Sequence, residues 1–438
     1  MRRLLTVAFV VLLTGALTMA ATVLLGNRFS RAPAAAPAPV SAAGLTQVSS
    51  GSLPSVIARL QEHLRAQPRD AAGWATLGLA YVEQARLTAD SSYYPKAAGV
   101  LGRSLRVQPS DNEPALTGQA ALAAARHDFA GALRLADQAL AVNAYAARPL
   151  AVRVDALVEL GRLDDAYTAV GHADQTKPGI QIFTRYAYVL QLRGHAAQAE
   201  RVLTRAAESA SAPGDVAYVD TQLGDLAWSR GDLRAAGRRY EAALHADPSY
   251  LLALDGRAKV SAARGDVAAA IRDREALVGR APLPGFSAAL GELYESEGRR
   301  DKAREQYTVV SAWARLAHAN GVATDLETAT VQSDHGDRAD ALRAARAEWN
   351  RRHSPLVADA LAWALHQNGQ DREALTYAKR AAATGYANAL FGYHRGMIEK
   401  ALGRRADARR SLAAALHLNP HFSPLWSLRA KAALEALS

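Results

Sequence analysis

Few residues in the chain have the types and spacing that catalysis or metal binding needs. The 438 residues include no cysteine, which excludes disulfides, thiolate metal sites and cysteine nucleophiles. Of the 12 histidines, His417 and His421 stand four apart, but Pro420 between them would break the helix that a metal-binding pair needs. Asp164 and Asp165 follow a turn glycine, where acidic side chains favour a helix N-terminus. No phosphate-loop, HExxH or GxSxG pattern is present, so we predict a non-enzymatic protein with no metal and no cofactor.

A periodic pattern of glycine and alanine runs through most of the chain. Glycines recur at intervals of 33 to 38 residues, and an alanine follows each of them five positions later. The glycines are Gly161, Gly194, Gly231, Gly265, Gly298, Gly336, Gly369 and Gly403, and the alanines are Ala166, Ala199, Ala236, Ala270, Ala303, Ala341, Ala374 and Ala408. A repeat of this length is typical of stacked helical units that bury a shared core.

Each part of the repeat has a physical reason. Apolar residues with helical spacing precede the glycine, as at Leu223 and Leu226, and alanine, the strongest helix former, is abundant throughout. The glycine ends the first helix because it adopts the left-handed cap conformation at little steric cost. The alanine lets the second helix approach the first closely, and a proline such as Pro248 ends that second helix. The unit is therefore a helical hairpin of about 34 residues, and the predicted fold class is all-α.

This pattern resembles the tetratricopeptide repeat (TPR) family. In the best match, residues 217–250, the signature places are occupied by Leu223, Gly224, Gly231, Ala236, Tyr240, Ala243 and Pro248. A second match begins near Trp74 and is interrupted by an insert around Thr88–Tyr94. Further units are predicted to begin near Glu113, Ala147, Ile180, Leu251, Pro284, Val322, Pro355 and Ala389.

The resemblance covers roughly residues 53–438 and implies a right-handed α-solenoid of about ten helix-turn-helix repeats. Val56–Pro68 is predicted to form a preceding second helix, and Ser423–Ser438 a C-terminal capping helix. Extra residues separate the units that begin at Pro284 and Val322, so we expect the superhelix to change locally there.

The resemblance also implies that the first helices of the repeats line a concave groove. The predicted partner-binding residues at equivalent places on these helices are Asp155, Tyr188, Asp225, Lys259, Glu292 and Trp363, with Trp228, Glu295 and His366 one turn further on. Aromatic and charged side chains in such a groove suit a peptide or an extended protein segment. In the alternative interpretation, Tyr188, Trp228 and Trp363 only pack between neighbouring repeats.

The N-terminus is predicted to be a targeting segment. Leu4–Leu25 carries no charge, and its 22 residues are long enough to cross a bilayer, which favours an uncleaved anchor. Small residues such as Ala20 and Ala21 leave signal cleavage open. We therefore assign residues 1–31 to a signal anchor or signal peptide, and residues 32–52 to a Pro/Ala-rich linker. The expected protein is a bacterial-type exported or membrane-anchored one, single-pass in the cell membrane with extracytoplasmic repeats, or alternatively secreted after signal cleavage.

Two functions are consistent with this organisation. The first is a non-enzymatic scaffold that binds protein or peptide partners in the concave groove. The alternative is an accessory subunit of a cell-envelope enzyme or of a polysaccharide or peptidoglycan assembly system, which would favour several stacked aromatic residues along the groove. The net charge is +10, but the arginines lack interleaved aromatic residues, so a nucleic-acid partner is not expected.

Overall fold

The computed structural model describes residues 53–437, and within this range the regular structure consists of 22 helices without a strand. They are α1 (Leu53–Ala66), α2 (Ala71–Thr88), α3 (Tyr93–Val107), α4 (Glu113–Ala125), α5 (Phe129–Val142), α6 (Ala147–Glu159), α7 (Leu163–Thr176), α8 (Ile180–Leu192), α9 (Ala196–Ser209), α10 (Pro213–Ser229), α11 (Leu233–Ala246), α12 (Leu251–Ala263), α13 (Val267–Arg280), α14 (Pro284–Ser296), α15 (Arg300–Ala319), α16 (Asp325–His335), α17 (Arg338–Arg351), α18 (Pro355–Gln367), α19 (Asp371–Ala382), α20 (Ala389–Ala401), α21 (Arg405–Leu418) and α22 (Trp426–Glu435).

Helices α2 to α21 form ten consecutive helical hairpins, numbered here 1 (α2–α3) to 10 (α20–α21), with α1 before them and α22 after them. Each second helix packs against the first helix of its own hairpin and against that of the next. Most consecutive first helices also touch one another, whereas consecutive second helices make no comparable contact. The first helices therefore form the inner, concave row of a solenoid, as the resemblance implies.

The predicted hairpin boundaries agree closely with the structure. Seven of the eight further units begin at the predicted residue, and the eighth begins at Asp325 rather than near Val322. The packing of the first helices on one another changes in this region, where the sequence predicts a local change of the superhelix. Helix α15 is the longest of the described helices at 20 residues. Helix α14 also lacks close contacts with the first helices on either side of it, α12 and α16, although other consecutive first helices touch.

The alanine of the repeat lies at the helix contacts, as predicted. All eight alanines of the pattern are buried, with at most 2% of their surface exposed. Seven of the eight glycines have φ between 72° and 90°, the left-handed conformation that the cap requires. Gly336 is the exception, with φ of −152°, so the prediction of a left-handed cap is wrong at that position.

Aspartates begin several second helices. Asp128, Asp232 and Asp266 each accept a hydrogen bond from the backbone N–H three residues later, at 2.9, 2.8 and 3.1 Å. These bonds satisfy amide groups that have no partner inside the helix. At Gly231–Asp232 and Gly265–Asp266, the glycine that follows the first helix and the aspartate that starts the second together fix the short turn within the hairpin.

The superhelix completes one turn after about five hairpins, so that later hairpins contact earlier ones. The turn inside hairpin 2 contacts the loop after hairpin 7, where the Ala323 N–H donates to the Arg126 carbonyl at 3.0 Å. The same relation repeats along the chain: the His353 N–H donates to the Leu160 carbonyl at 3.4 Å, and the Asn419 side chain donates to the Trp228 carbonyl at 2.7 Å. Hairpins 6–10, the second turn of the superhelix, therefore rest on hairpins 1–5, the first turn.

A buried ion-pair cluster strengthens this contact between the turns. Arg352, in the loop after hairpin 8, pairs with Glu348 of its own hairpin and with Glu159 of hairpin 3. Its guanidinium also lies 4.7 Å from the centre of the Phe129 ring. Glu348 and Arg352 are almost completely buried, so both need ion-pair partners for their charges to be tolerated, and Glu348 also pairs with Arg351.

No helix within residues 53–437 combines the length and the apolar character needed to span a membrane. The predicted targeting segment, Leu4–Leu25, and the Pro/Ala-rich linker at 32–52 lie outside the described residues.

Candidate interaction groove

The nine predicted groove residues all lie on the inner row of first helices. They are distributed over α6 (Asp155), α8 (Tyr188), α10 (Asp225 and Trp228), α12 (Lys259), α14 (Glu292 and Glu295) and α18 (Trp363 and His366). Partners within the chain place six of them in three groups, and the other three lie at a cavity or against the C-terminal residues of the chain.

The first group is fixed by neighbouring repeats in the first turn. Asp155 forms an ion pair with Arg185 on the next first helix, with 2.7 Å between the atoms. Tyr188 is half-buried and packs against the apolar core between α6 and α8. Burial raises the pKa of Tyr188, so the side chain is a neutral phenol. For Tyr188 the structure thus agrees with the packing interpretation.

The second group is a charged network around α12. Lys259 Nζ and Arg274 both pair with Asp255, at 2.8 and 3.3 Å, while Asp225 accepts a hydrogen bond from the Tyr240 hydroxyl at 2.8 Å. Burial alone would raise the pKa of Asp255, but the two cations hold it below its usual value. Burial raises the pKa of Asp225, which Lys259 only partly offsets. One third of the Lys259 side chain (33%) still faces the groove solvent.

A cavity of about 320 Å³ lies beside this network. It is lined by three predicted groove residues, Trp228, Lys259 and Glu292, together with Arg274 and Ala263. Arg274 is only 5% exposed, and its Nε has no hydrogen-bond partner. The wall thus combines an aromatic ring, apolar surface, two cations and a carboxylate, which is a mixture that can hold a peptide side chain and its backbone.

The C-terminal segment, defined here as residues 419–437, supplies the opposite wall of the cavity. Ser423 Oγ donates to Glu292 at 2.9 Å, and Trp426 Nε1 donates to the same carboxylate at 3.2 Å. Arg429 donates to Glu295 at 3.1 Å. Two of the predicted groove residues are therefore contacted by the chain itself, from residues that are more than 130 positions away in the sequence.

The third group lies at the C-terminal end of the groove. Trp363 is 5% exposed, its Nε1 donates to Asp334 at 3.0 Å, and its ring stacks on His394 with 4.1 Å between the centres. His366 pairs with Asp371 at 2.5 Å. Trp363 therefore packs between repeats, in agreement with the alternative interpretation of this residue.

A second cavity, of about 440 Å³, opens at this end of the groove. Trp363 and His366 line part of it, together with Lys400 and Arg429. No cluster of metal-ligating side chains is found among residues 53–437.

These observations define a solenoid of tetratricopeptide-type hairpins, as the sequence resemblance predicts, with a concave face that is partly filled by its own C-terminus. No protein-family model matches the sequence. No curated protein matches it either.

Comparison with solved structures returns other helical-repeat proteins at low identity. One is a tetratricopeptide repeat protein from Parabacteroides merdae, with 17% identity over 59% of this chain and 98% of that chain, at a TM-score of 0.34. The Cut9–Hcn1 hetero-tetramer of the APC/C shares 11% identity over 92% of this chain and 99% of that chain, at a TM-score of 0.41. A thermophilic TPR protein from Thermus thermophilus shares 22% identity over 43% of this chain and 98% of that chain, at a TM-score of 0.37. The assignment of the fold rests on the helices of this chain, because these similarities are distant.

Proposed function

We propose that the protein is a non-enzymatic scaffold that binds a segment of a partner protein in its concave groove. The observation that carries this proposal is the cavity of about 320 Å³ where Trp228, Lys259 and Glu292 meet. Their different chemistries suit the mixed apolar and polar surface of a peptide. Binding of a polysaccharide would favour a row of exposed aromatic rings, and the burial of Trp363 leaves only one of the two groove tryptophans for that purpose.

The experiment uses the absence of cysteine in the chain. Ala263→Cys places a single thiol in the cavity wall, and Ala276→Cys places one on the exposed surface of α13 as the matched control. Each variant is labelled with a photo-crosslinker on the thiol and irradiated in the cells that make the protein. We expect a discrete protein adduct from position 263 that is absent at 276 and is weakened by Trp228→Ala. Equal adducts at both positions, or adducts at 276 alone, would contradict binding in the groove.

We further propose that the N-terminal segment holds the scaffold at the outer side of the cell membrane. This proposal is supported by the uncharged stretch Leu4–Leu25 and the Pro/Ala-rich linker after it. Protease added to spheroplasts is expected to degrade the repeats and to leave a small embedded fragment. Complete protection of the repeats would contradict this location. A mature N-terminus directly after Ala20 or Ala21 would replace the anchor by a cleaved signal.

A further inference from the structure

The C-terminal segment has two faces that are packed very differently. Towards hairpin 10 its buried residues Leu425, Trp426 and Ala430 join Tyr393 and Leu412 in one apolar cluster. This face is an ordinary cap that covers the last repeat of a solenoid.

Towards α14 the segment is attached mainly by polar contacts. The cavity of about 320 Å³ remains between it and the first helices, and Leu428 beside the cavity is 55% exposed. Atoms that border a void lack partners for dispersion contacts, so this side contributes little packing energy. The contact with α14 is therefore held chiefly by Ser423, Trp426 and Arg429.

The acidic surface of α14 is incompletely neutralised by these contacts. Among the described residues, Glu292 receives hydrogen bonds from the neutral Ser423 hydroxyl and Trp426 N–H, and burial raises its pKa. Glu295 pairs with Arg429 and also lies 3.3 Å from His335 Nδ1. Burial lowers the pKa of His335 to about 4, so the ring carries no charge near pH 7. From the C-terminal segment the two carboxylates thus receive one cation, Arg429, which pairs with Glu295, while the charge of Arg274 in hairpin 6 acts on Glu292.

Hairpin 7 is also where the inner row is held least firmly. Neither α12 nor α16 packs closely on α14, in contrast to the other first helices. The contact between α14 and the C-terminal segment is therefore not reinforced by close packing of α14 on a neighbouring first helix.

We propose that the α14 surface formed by Glu292 and Glu295 is a docking surface for a partner helix that carries an aromatic residue and basic residues about one turn apart. The chain's own Trp426 and Arg429, three positions apart, occupy this surface in the free protein and show the spacing that it accepts. A partner with a second cation would neutralise Glu292 as well as Glu295, which the C-terminal segment does not do. The inference rests on the proposed function, because it specifies the partner chemistry for one part of the same groove.

The test measures binding of a labelled peptide with the sequence of residues 419–437 to the full chain. In the variant Arg429→Glu the contact with Glu295 is lost, while the buried Trp426 is kept together with Ser423, whose hydroxyl also accepts from the Trp426 N–H. Half of the Arg429 side chain is exposed, so we expect this variant to keep its helical content and melting temperature, which circular dichroism checks. We expect the peptide to bind the variant at least ten-fold more tightly than it binds the unaltered chain.

Two controls make the result specific to the acidic surface. Adding Glu295→Gln to the variant should reduce peptide affinity about ten-fold, and a peptide with Arg429→Glu should bind with similarly reduced affinity. Equal binding of both peptides, or no gain of binding in the opened variant, would overturn the inference. A crosslinked partner at position 263 combined with either of these results would show that the groove binds its partner away from α14, and the proposed function would survive.

Discussion

The turn glycines of the two superhelical turns have the same place in the repeat but different surroundings. In the first turn, Gly161 has φ of +79°, and a Cβ added to it would lie 2.4 Å from the carbonyl oxygen of His353 in the second turn. In the second turn, Gly298 has φ of +73°, but an added Cβ would meet no atom within 4 Å. The same difference separates Gly194 and Gly231 from Gly265, Gly369 and Gly403.

This difference shows that one residue type satisfies two separate requirements. Every one of these glycines is needed for a left-handed backbone conformation, but those of the first turn are also needed for the close approach of the next turn. The turns inside hairpins 1–5 therefore pack against the second superhelical turn, whereas the turns inside hairpins 6–10 lie at an edge of the solenoid that no further turn covers in the described residues. The same substitution at equivalent positions of the two turns should therefore change the free energy of unfolding by different amounts.

The largest effect is expected at the ion pairs that join the turns. Arg352→Met should destabilise the protein by about 3–5 kcal/mol, because it removes the cation shared by Glu159 and the buried Glu348, and leaves Glu348 only the partly exposed Arg351. Arg346→Met is the matched control, since its pair with Glu373 is about half exposed on both sides and should contribute less than about 1 kcal/mol. Urea denaturation measures the free energy of unfolding of both variants. Similar losses for the two variants would mean that the contact between the turns contributes little to stability.

A smaller effect is expected from the glycines themselves. Gly298→Ala should cost roughly 1–2 kcal/mol, the penalty for an ordinary residue in the left-handed region. Gly161→Ala should cost about 1–3 kcal/mol more, because its methyl group must also push the backbone at His353 away. The difference between the two midpoints of thermal unfolding is the quantity to measure. An equal loss of stability at both positions would contradict the claim that the turn at Gly161 is packed against the second superhelical turn while the turn at Gly298 is not.

The alanines should show no such difference between the turns. Ala236 in the first turn and Ala374 in the second are both completely buried at helix contacts. Ala236→Leu and Ala374→Leu should each cost about 1–3 kcal/mol through overpacking. Ala235→Leu is the control, because its side chain is rotated about 100° around α11 and is partly exposed. If leucine were tolerated equally at 235 and 236, the alanine pattern would not mark the helix contacts.

The sequence predicts the hairpins well because their signals are local. A turn glycine, an aspartate cap and a buried alanine act within a few residues. The first helices that begin at Glu113 and Pro355 have local signals as well, because Asn112 and Ser354 cap them. Gly336 departs from the pattern because the Gln332 side chain accepts from the Asp337 N–H at 2.8 Å and occupies the space where a Cβ would lie. This contact depends on one side-chain rotamer and has no signature in the spacing of the repeat.

The contacts that shape the groove could not be predicted in this way. The pairs Arg352–Glu159 and Trp426–Glu292 depend on the curvature that accumulates over several hairpins, which no single repeat encodes. The positions of Asp155, Tyr188 and Lys259 on the first helices were predictable from the resemblance. Their neighbours across the groove were not, and partner binding by these residues stays a prediction.

The most direct test of the contact between the two superhelical turns is a cysteine pair placed across it. Asn320 Nδ2 donates to Ser91 Oγ at 3.0 Å although the two residues are 229 positions apart, and the chain has no cysteine of its own. With Ser91→Cys/Asn320→Cys, we expect efficient crosslinking by a short bifunctional thiol reagent and a faster-migrating band on denaturing gels. With Ser92→Cys/Asn320→Cys, whose first position is exposed, we expect much less. Equal, slow crosslinking of both pairs would contradict the stacking of the second turn on the first.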